Sequence, residues 1–156
     1  MDYAANAPRS VPAAVGVAAG TVNGLNAFAS LLDLAIRLWV AGVFFKAGLT
    51  KIASWDSTLA LFENEYEEPF LPPELAAHLG TGAELILPVF LAIGLLSRPV
   101  ALALFVFNIV AVISYPDISQ AGISDHTHWG FLLAVTLFHG PGKISIDHLI
   151  RRRFLG

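Results

Sequence analysis

The sequence predicts an all-α membrane protein in which four helices form a transmembrane bundle. Two observations carry this prediction. Of the 156 residues, 56% are hydrophobic and only 13% are charged, against about 25% charged in an average soluble domain. Four long apolar segments also recur along the chain. The second and third have almost no polar face, which argues against a soluble helical bundle.

The four predicted spans differ in length. We place them at about residues 28–50, 75–96, 99–115 and 126–140. A membrane helix needs about 20 residues, with about 17 as a lower limit. The first two meet this length, whereas the last two need flanking residues or a locally thinner bilayer. Together they predict one membrane domain over residues 28–148.

The two ends of the chain differ from this domain in composition. Residues 1–27 are rich in Ala, Gly, Pro and Asn and hold one basic residue, Arg9. A cleaved signal peptide needs a basic start and a stronger apolar centre, so we predict a flexible N-terminal tail instead. We predict a basic C-terminal tail over residues 149–156.

The distribution of basic residues predicts the orientation in the membrane. Neither Ile52–Glu74 nor Tyr115–Thr127 contains Lys or Arg, although both segments carry carboxylates. The opposite side of the predicted bundle carries the basic residues Arg9, Arg98, Lys143, Arg151, Arg152 and Arg153. We therefore expect a multi-pass protein of the bacterial cytoplasmic (inner) membrane, with both termini in the cytoplasm.

The first outer loop has a helical pattern of its own. Trp55, Leu59, Phe62 and Tyr66 recur at spacings of four, three and four residues, which is typical of one apolar helix face. We predict a short helix that lies in the outer membrane interface. The alternative is an ordinary surface loop.

Three cations lie in or beside the first span: Arg37, Lys46 and Lys51. At 100° per residue, Arg37 and Lys51 share one face with Asp33 and Gly48. Asp33 can pair with Arg37 one turn away, and Gly48 lets a neighbouring helix approach closely. Lys46 points to the opposite side, so we expect it to extend to the outer headgroups.

The other spans supply polar partners for this face. Glu84 is the only carboxylate deep in a predicted span, and Asn108 lies near the middle of the third. We predict Arg37, Lys51, Glu84 and Asn108 as ligand-binding residues, with Glu84 as the candidate proton relay. Buried ionisable groups often mark functional sites in membranes. The alternative is a structural polar network that holds the helices in register.

The composition limits other chemistry. The absence of cysteine excludes thiol chemistry and a cysteine-bound iron–sulfur cluster on this chain. A net charge of −3 gives no indication of a nucleic-acid partner. Asp125, His126 and His128 of the stretch DHTH are weak candidates for metal ligands, because they have no fixed geometry. Interface or capping roles are favoured for them.

Three stretches resemble the DoxX family of four-helix membrane proteins. They are Arg37, Gly42, Phe45, Gly48 and Lys51 in the first span, Glu84 within GAELILPVFLAIGLLSR, and HGPGKISID at residues 139–147. The resemblance covers about residues 30–150. It implies a four-helix membrane fold with the functional positions at Arg37, Lys51 and Glu84. It also implies a role in a membrane redox or stress-response system. Relatives in the family include the membrane subunit of a thiosulfate:quinone oxidoreductase.

Two functional hypotheses follow. In the first, the protein is a membrane subunit that binds a quinone in a cleft lined by Trp39, Phe44, Phe45 and Phe107, and a partner subunit or second copy is required. In the second, it is a non-enzymatic scaffold or a metal- or stress-response component that uses its acidic outer loops for contact. A small transporter is less favoured, because four helices form a narrow pathway and no broken-helix repeat is visible.

Overall fold

Six α-helices make up the part of the chain that the computed structural model describes, residues 13–67 and 71–154, and no strand occurs there. In chain order they are α1 (Ala13–Ala53), α2 (Trp55–Asn64), α3 (Pro73–Ile93), α4 (Ser97–Ile113), α5 (Gln120–His139) and α6 (Ile146–Phe154). The all-α prediction is therefore confirmed for these residues.

Both ends of the chain are more helical than we predicted. α1 begins at Ala13 rather than near Phe28, because the intervening residues are rich in alanine, the strongest helix former. Residues 1–12 of the predicted tail lie outside the described part. At the other end, the predicted basic tail is instead largely helical as α6, which carries Asp147 in its first turn and three arginines in its last. This charge order suits the helix dipole.

The bundle is built around the contact between α1 and α3, which is its most extensive. The buried side chains of α3 recur at helical spacing along one face and are Ala76, Ala77, Thr81, Glu84, Pro88 and Leu91. Gly48 provides the close approach on α1: an added Cβ would lie 2.9 Å from Leu85 Cγ and 3.1 Å from Glu84 Cβ. The predicted role of Gly48 is therefore confirmed.

We expect Gly48→Leu to destabilise the protein by about 1–3 kcal/mol, the usual cost of overpacking a tight contact. Gly42→Leu is the matched control, because nothing lies within 4 Å of a Cβ added there and the helix gains propensity. Unfolding in mixed detergent and SDS micelles would measure both variants. Equal stability of the two would contradict the close contact.

α2 lies across one end of this pair. Phe62 is buried against Ala76 and Ala77, and Trp55, Leu59 and Tyr66 pack around this cluster. Thr58 Oγ1 donates a hydrogen bond to the Lys51 carbonyl at 3.0 Å, which ties α2 to the end of α1. The predicted helix is confirmed, but its apolar face packs on α3 and is not left for lipid.

The main core lies between α1, α3, α4 and α5. Its buried members are Val40, Ala41, Phe44, Leu91, Val100, Ala101, Leu104 and Leu133. Large apolar side chains also cover the outside: Leu38, Trp39, Ile86, Val106 and Phe131 are each about half exposed or more. Exposed apolar surface of this extent is typical of a protein that contacts lipid.

Two of the described helices meet length and hydropathy criteria for crossing a membrane, over Gly24–Ala53 and Pro73–Ile93. α4 is apolar but has only 17 residues, the lower limit for a span. α5 has 20 residues, but its first half carries Ser124, Asp125, His126, Thr127 and His128. Two of the four predicted spans therefore meet these criteria, and the four-span arrangement stays a prediction.

Candidate functional site

An ion pair joins α1 to α3 beneath α2. Lys51 Nζ lies 2.5 Å from both carboxylate oxygens of Glu84. The Glu84 side chain is 7% exposed and the Lys51 side chain 20%, so the carboxylate is buried and the lysine is partly exposed. The predicted pairing of Lys51 with Glu84 is confirmed, whereas ligand binding by the pair stays a prediction.

A cavity of about 380 Å³ lies beside this pair, between the end of α1 and α2. Lys51 forms part of its wall with the hydroxyl residues Ser54, Ser57 and Thr58 and the apolar or aromatic residues Leu61, Phe62 and Tyr66. The Phe62 and Tyr66 rings meet edge to face at 4.7 Å. The cavity therefore combines a cation, hydroxyl groups and aromatic surface, the mixture that small-molecule sites use.

Arg37 lies elsewhere and has different partners. Its Nη1 donates to the carbonyls of Leu91 at 3.1 Å and Ala92 at 2.8 Å, and its Nη2 donates to the carbonyl of Ile144. The side chain is 1% exposed. A cation at the carboxyl end of α3 also meets the negative end of the helix dipole. Arg37 thus connects α1 to the end of α3 and to the segment at Ile144. We expected Arg37 to contact Glu84, and these hydrogen bonds show other partners.

Asp33 does not form the predicted ion pair with Arg37. Its Oδ2 lies 3.5 Å from His139 Nε2 instead, and it acts on Arg37 only at longer range. The reason is geometric, because the Arg37 guanidinium group is turned toward the carbonyls of α3 and Ile144. Gly142 packs directly on Asp33, where an added Cβ would lie 2.6 Å from Oδ2.

Asp147 has a role that the sequence pattern did not assign. Its two carboxylate oxygens accept hydrogen bonds from the backbone N–H groups of Leu96 and Ser97, both at 2.8 Å, at the start of α4. This is the usual place for a carboxylate that caps a helix. Gly94, with φ of 73°, lies so close that an added Cβ would be 2.5 Å from Ser145 Cβ. The stretch HGPGKISID therefore closes one end of the bundle.

Asn108 forms a third polar cluster, between α4 and α5. Its Nδ2 donates to the His126 carbonyl at 2.9 Å, and its Oδ1 lies 2.8 Å from His126 Nδ1. The His126 ring meets the Trp129 ring edge to face at 4.7 Å. Asn108 contacts neither Lys51 nor Glu84 through any of these bonds, so the predicted ligand set is divided.

The stretch DHTH does not bring its candidate metal ligands together. All four residues lie in α5, where residues two apart point to nearly opposite sides. His126 turns toward Asn108, whereas His128 Nδ1 bonds to the Ser124 carbonyl on its own helix. Within the described residues, no group of three or more His, Asp or Glu side chains is placed to hold a metal ion.

The aromatic residues expected to line one cleft are also separated. Phe44 is buried and meets Phe107 and Trp129 edge to face, at 6.3 and 6.1 Å. Trp39 is 68% exposed and Phe45 is 36% exposed on the outer surface, so they do not share that packing. Lys46 is exposed as well, in agreement with its predicted position on the opposite face of α1.

The polar residues thus form three clusters and not one network. Along α1, Arg37 and Lys51 are fourteen residues apart, which corresponds to about 21 Å at 1.5 Å per residue. The apolar core around Phe44 lies between them. In one of these clusters, the Lys51–Glu84 pair joins a buried carboxylate to a partly exposed lysine beside a cavity.

Comparisons with known proteins agree with this architecture. The family model described as DoxX matches residues 32–116, a range that includes Arg37, Lys51, Glu84 and Asn108. An uncharacterized protein of Haemophilus influenzae is 31% identical over 140 residues, which cover 84% of this chain and 89% of that relative. No solved structure matches the chain. The family match includes the first two of the three stretches, and residues 139–147 lie outside it. The predicted family is confirmed: the chain belongs to the DoxX family.

Proposed function

We propose that the protein is a multi-pass subunit of a bacterial cytoplasmic (inner) membrane, in which α1, α3, α4 and α5 cross the bilayer as one domain over residues 28–148. The family membership and the exposed apolar surface support contact with a lipid bilayer. The basic residues of the α3–α4 turn and α6 support a cytoplasmic location for both termini. In this orientation, α2 and the Lys51–Glu84 pair lie on the outer side.

We further propose that this subunit belongs to a redox or stress-response system and binds a quinone-like ligand in the cavity beside Lys51. One observation carries the proposal: a buried carboxylate is paired with a cation that is 20% exposed and lines a cavity with two aromatic rings. A quinone carbonyl is an acceptor, and Lys51 is a three-fold donor. Arg37 is not available for this role, because both of its Nη atoms are bound to backbone carbonyls.

When bound, a quinone supplies reversible chemistry of two electrons and two protons. Glu84 lies within hydrogen-bond distance of Lys51, so a proton can pass between this pair and a ligand oxygen held by the ammonium group. The chain has no cysteine to hold an iron–sulfur cluster. The electrons would therefore come from a partner subunit that binds a redox group.

A scaffold without catalysis is the second candidate, and two observations favour it. Arg37 and Asp147 are both occupied in joining helix ends, which is a structural role. The acidic residues Glu63, Glu65 and Glu67 are exposed around the end of α2, where a protein partner could contact them. Glu68 of the same acidic loop lies outside the described residues.

Binding of decylubiquinone to the purified protein tests the first proposal. We expect the Lys51→Met variant to bind at least about tenfold more weakly, since a hydrogen bond from a charged donor contributes about 1.5–3 kcal/mol. Lys46→Met is the matched control, because it removes an exposed cation from the opposite face of the same helix. It should bind like the unaltered protein.

Thermal stability of each variant would be measured in the same detergent, so that unfolding is not mistaken for lost affinity. Absence of decylubiquinone binding to the folded, unaltered protein would contradict the quinone proposal and favour the scaffold. Equal binding by the Lys51→Met and Lys46→Met variants would contradict the location of the site.

A further inference from the structure

A second cavity, of about 370 Å³, lies between α4 and α5. Most of its wall is apolar, with Phe105, Ile109, Val112, Ile113, Ile123 and Phe131 among the lining residues. Asn108, His126 and Thr127 also line it. Because the Thr127 hydroxyl donates to the Ile123 carbonyl on its own helix, Asn108 and His126 are the polar pair of a mostly apolar space. A cavity of this size with few polar groups is the usual form of a small-molecule site.

The orientation of the Asn108 amide is determined by the backbone. The atom 2.9 Å from the His126 carbonyl must be the amide nitrogen, because a carbonyl oxygen can only accept a hydrogen bond. The remaining amide atom, Oδ1, is therefore the one 2.8 Å from His126 Nδ1. Since Oδ1 only accepts, His126 Nδ1 carries the proton and donates it to Asn108.

This assignment determines the chemistry of the other ring nitrogen. In a neutral imidazole one nitrogen donates and the other accepts, so His126 Nε2 is an acceptor. Within the described part of the chain, Nε2 has no hydrogen-bond partner, and the ring is held by Asn108 on one side and by the edge-to-face contact with Trp129. The pair therefore carries one acceptor without a partner, on a residue that lines the apolar cavity.

We infer that the α4–α5 cavity is a second ligand site, which binds apolar ring compounds through a hydroxyl group that donates a hydrogen bond to His126 Nε2. Phenols and hydroquinones belong to this class. An oxidised quinone has only acceptor oxygens and gains no such bond. Lys51 donates a hydrogen bond and therefore prefers an acceptor oxygen, whereas His126 Nε2 prefers a hydroxyl donor. The inference for the α4–α5 cavity therefore does not depend on ligand binding by the Lys51–Glu84 pair.

Two ligands test this inference: 4-hexylphenol and its methyl ether, 4-hexylanisole. They differ in that a methyl group replaces the hydroxyl proton, which removes the hydrogen-bond donor. The chain has three tryptophans, so the double variant Trp39→Phe/Trp55→Phe leaves Trp129 beside His126 as the fluorescent reporter. Titrations at pH 8 keep an imidazole of ordinary pKa neutral. We expect 4-hexylphenol to bind about tenfold more tightly than 4-hexylanisole, after correction for micelle partition, as one hydrogen bond predicts.

His126→Phe in this background should remove the preference for the phenol and leave binding of the anisole nearly unchanged. His128→Phe is the matched control, because His128 is exposed on the same helix, and it should keep the preference. Equal affinities of the two ligands for the protein with His126 intact would overturn the inference, whether or not the His126→Phe variant folds. A preference that persists in a folded His126→Phe variant would also overturn it.

Discussion

Replacing Arg37 by leucine is expected to lower the free energy of unfolding by about 3 kcal/mol, because it leaves acceptors at the end of α3 and near α6 without their donor. Leu91 O also accepts from the Gly94 N–H, at 3.2 Å. The carbonyls of Ala92 and Ile144 have no other donor among the described residues. Each unpaired buried acceptor costs about 1–3 kcal/mol.

Leucine would fill part of the space that Arg37 occupies, so a cavity is not the main source of this loss. The Arg37→Lys variant distinguishes the contribution of the positive charge to stability from that of the guanidinium geometry. A lysine keeps the positive charge beside the end of α3 but cannot place two nitrogens against three carbonyls. We therefore expect its stability to lie between that of Arg37→Leu and that of the unaltered protein.

Arg98→Leu is the matched control for this experiment. Arg98 is exposed and makes one long hydrogen bond, from Nη2 to the Phe138 carbonyl at 3.3 Å, so its removal should change stability by no more than about 0.5 kcal/mol. Unfolding curves in mixed micelles, followed by circular dichroism, would compare the variants. If Arg37→Leu were as stable as Arg98→Leu, Arg37 would not have the joining role assigned to it.

The sequence predicted those features that depend on periodicity along one helix. The outward position of Lys46 and the short helix α2 both follow from 3.6-residue spacing, and the structure agrees with each. The close approach at Gly48 was also predictable, because a small residue between charged neighbours on one face favours tight helix packing. Glu84 was predicted as the polar partner of the α1 face that carries Arg37 and Lys51, and the structure pairs it with Lys51.

The partners of Arg37 and Asp33 could not be predicted in the same way. Arg37 binds backbone carbonyls that are more than fifty residues away. Every residue has such a carbonyl, so a sequence does not show which of them will face a side chain. Asp147 caps a helix that begins fifty residues earlier in the chain, so the local capping patterns of a sequence do not reveal it. His126 was considered for an interface or capping role and as a weak metal ligand, because its contact with Asn108 depends on how α4 and α5 pack.

At the Lys51–Glu84 pair, we expect the largest loss of stability when the lysine is replaced. Lys51→Met leaves the Glu84 carboxylate, 7% exposed, without its cation, and removal of one partner of a buried pair typically costs about 3–5 kcal/mol. Glu84→Met should cost less, about 1–2 kcal/mol. The reason is that the Lys51 side chain is partly exposed near a helix end and can extend toward the headgroups.

The double variant Lys51→Met/Glu84→Met decides what the pair is for. Replacing both charges by apolar side chains of similar size is often neutral or stabilising, so we expect its stability to lie within about 1 kcal/mol of the unaltered protein. The coupling energy between the two sites would then be several kcal/mol, as expected for residues in direct contact. Lys46→Met, on the opposite face, should show no coupling to Glu84→Met.

A stable double variant would mean that the fold does not need these two charges, although it cannot tolerate either one alone. If that variant also failed to bind decylubiquinone, the pair would be retained for the ligand and not for the bundle. If the double variant were as unstable as Lys51→Met, the pair would be a structural contact of α1 with α3, and the scaffold function would be the better account. If the loss of stability in the double variant equalled the sum of the losses in the two single variants, the ion pair itself would be contradicted, because residues that do not interact show no coupling.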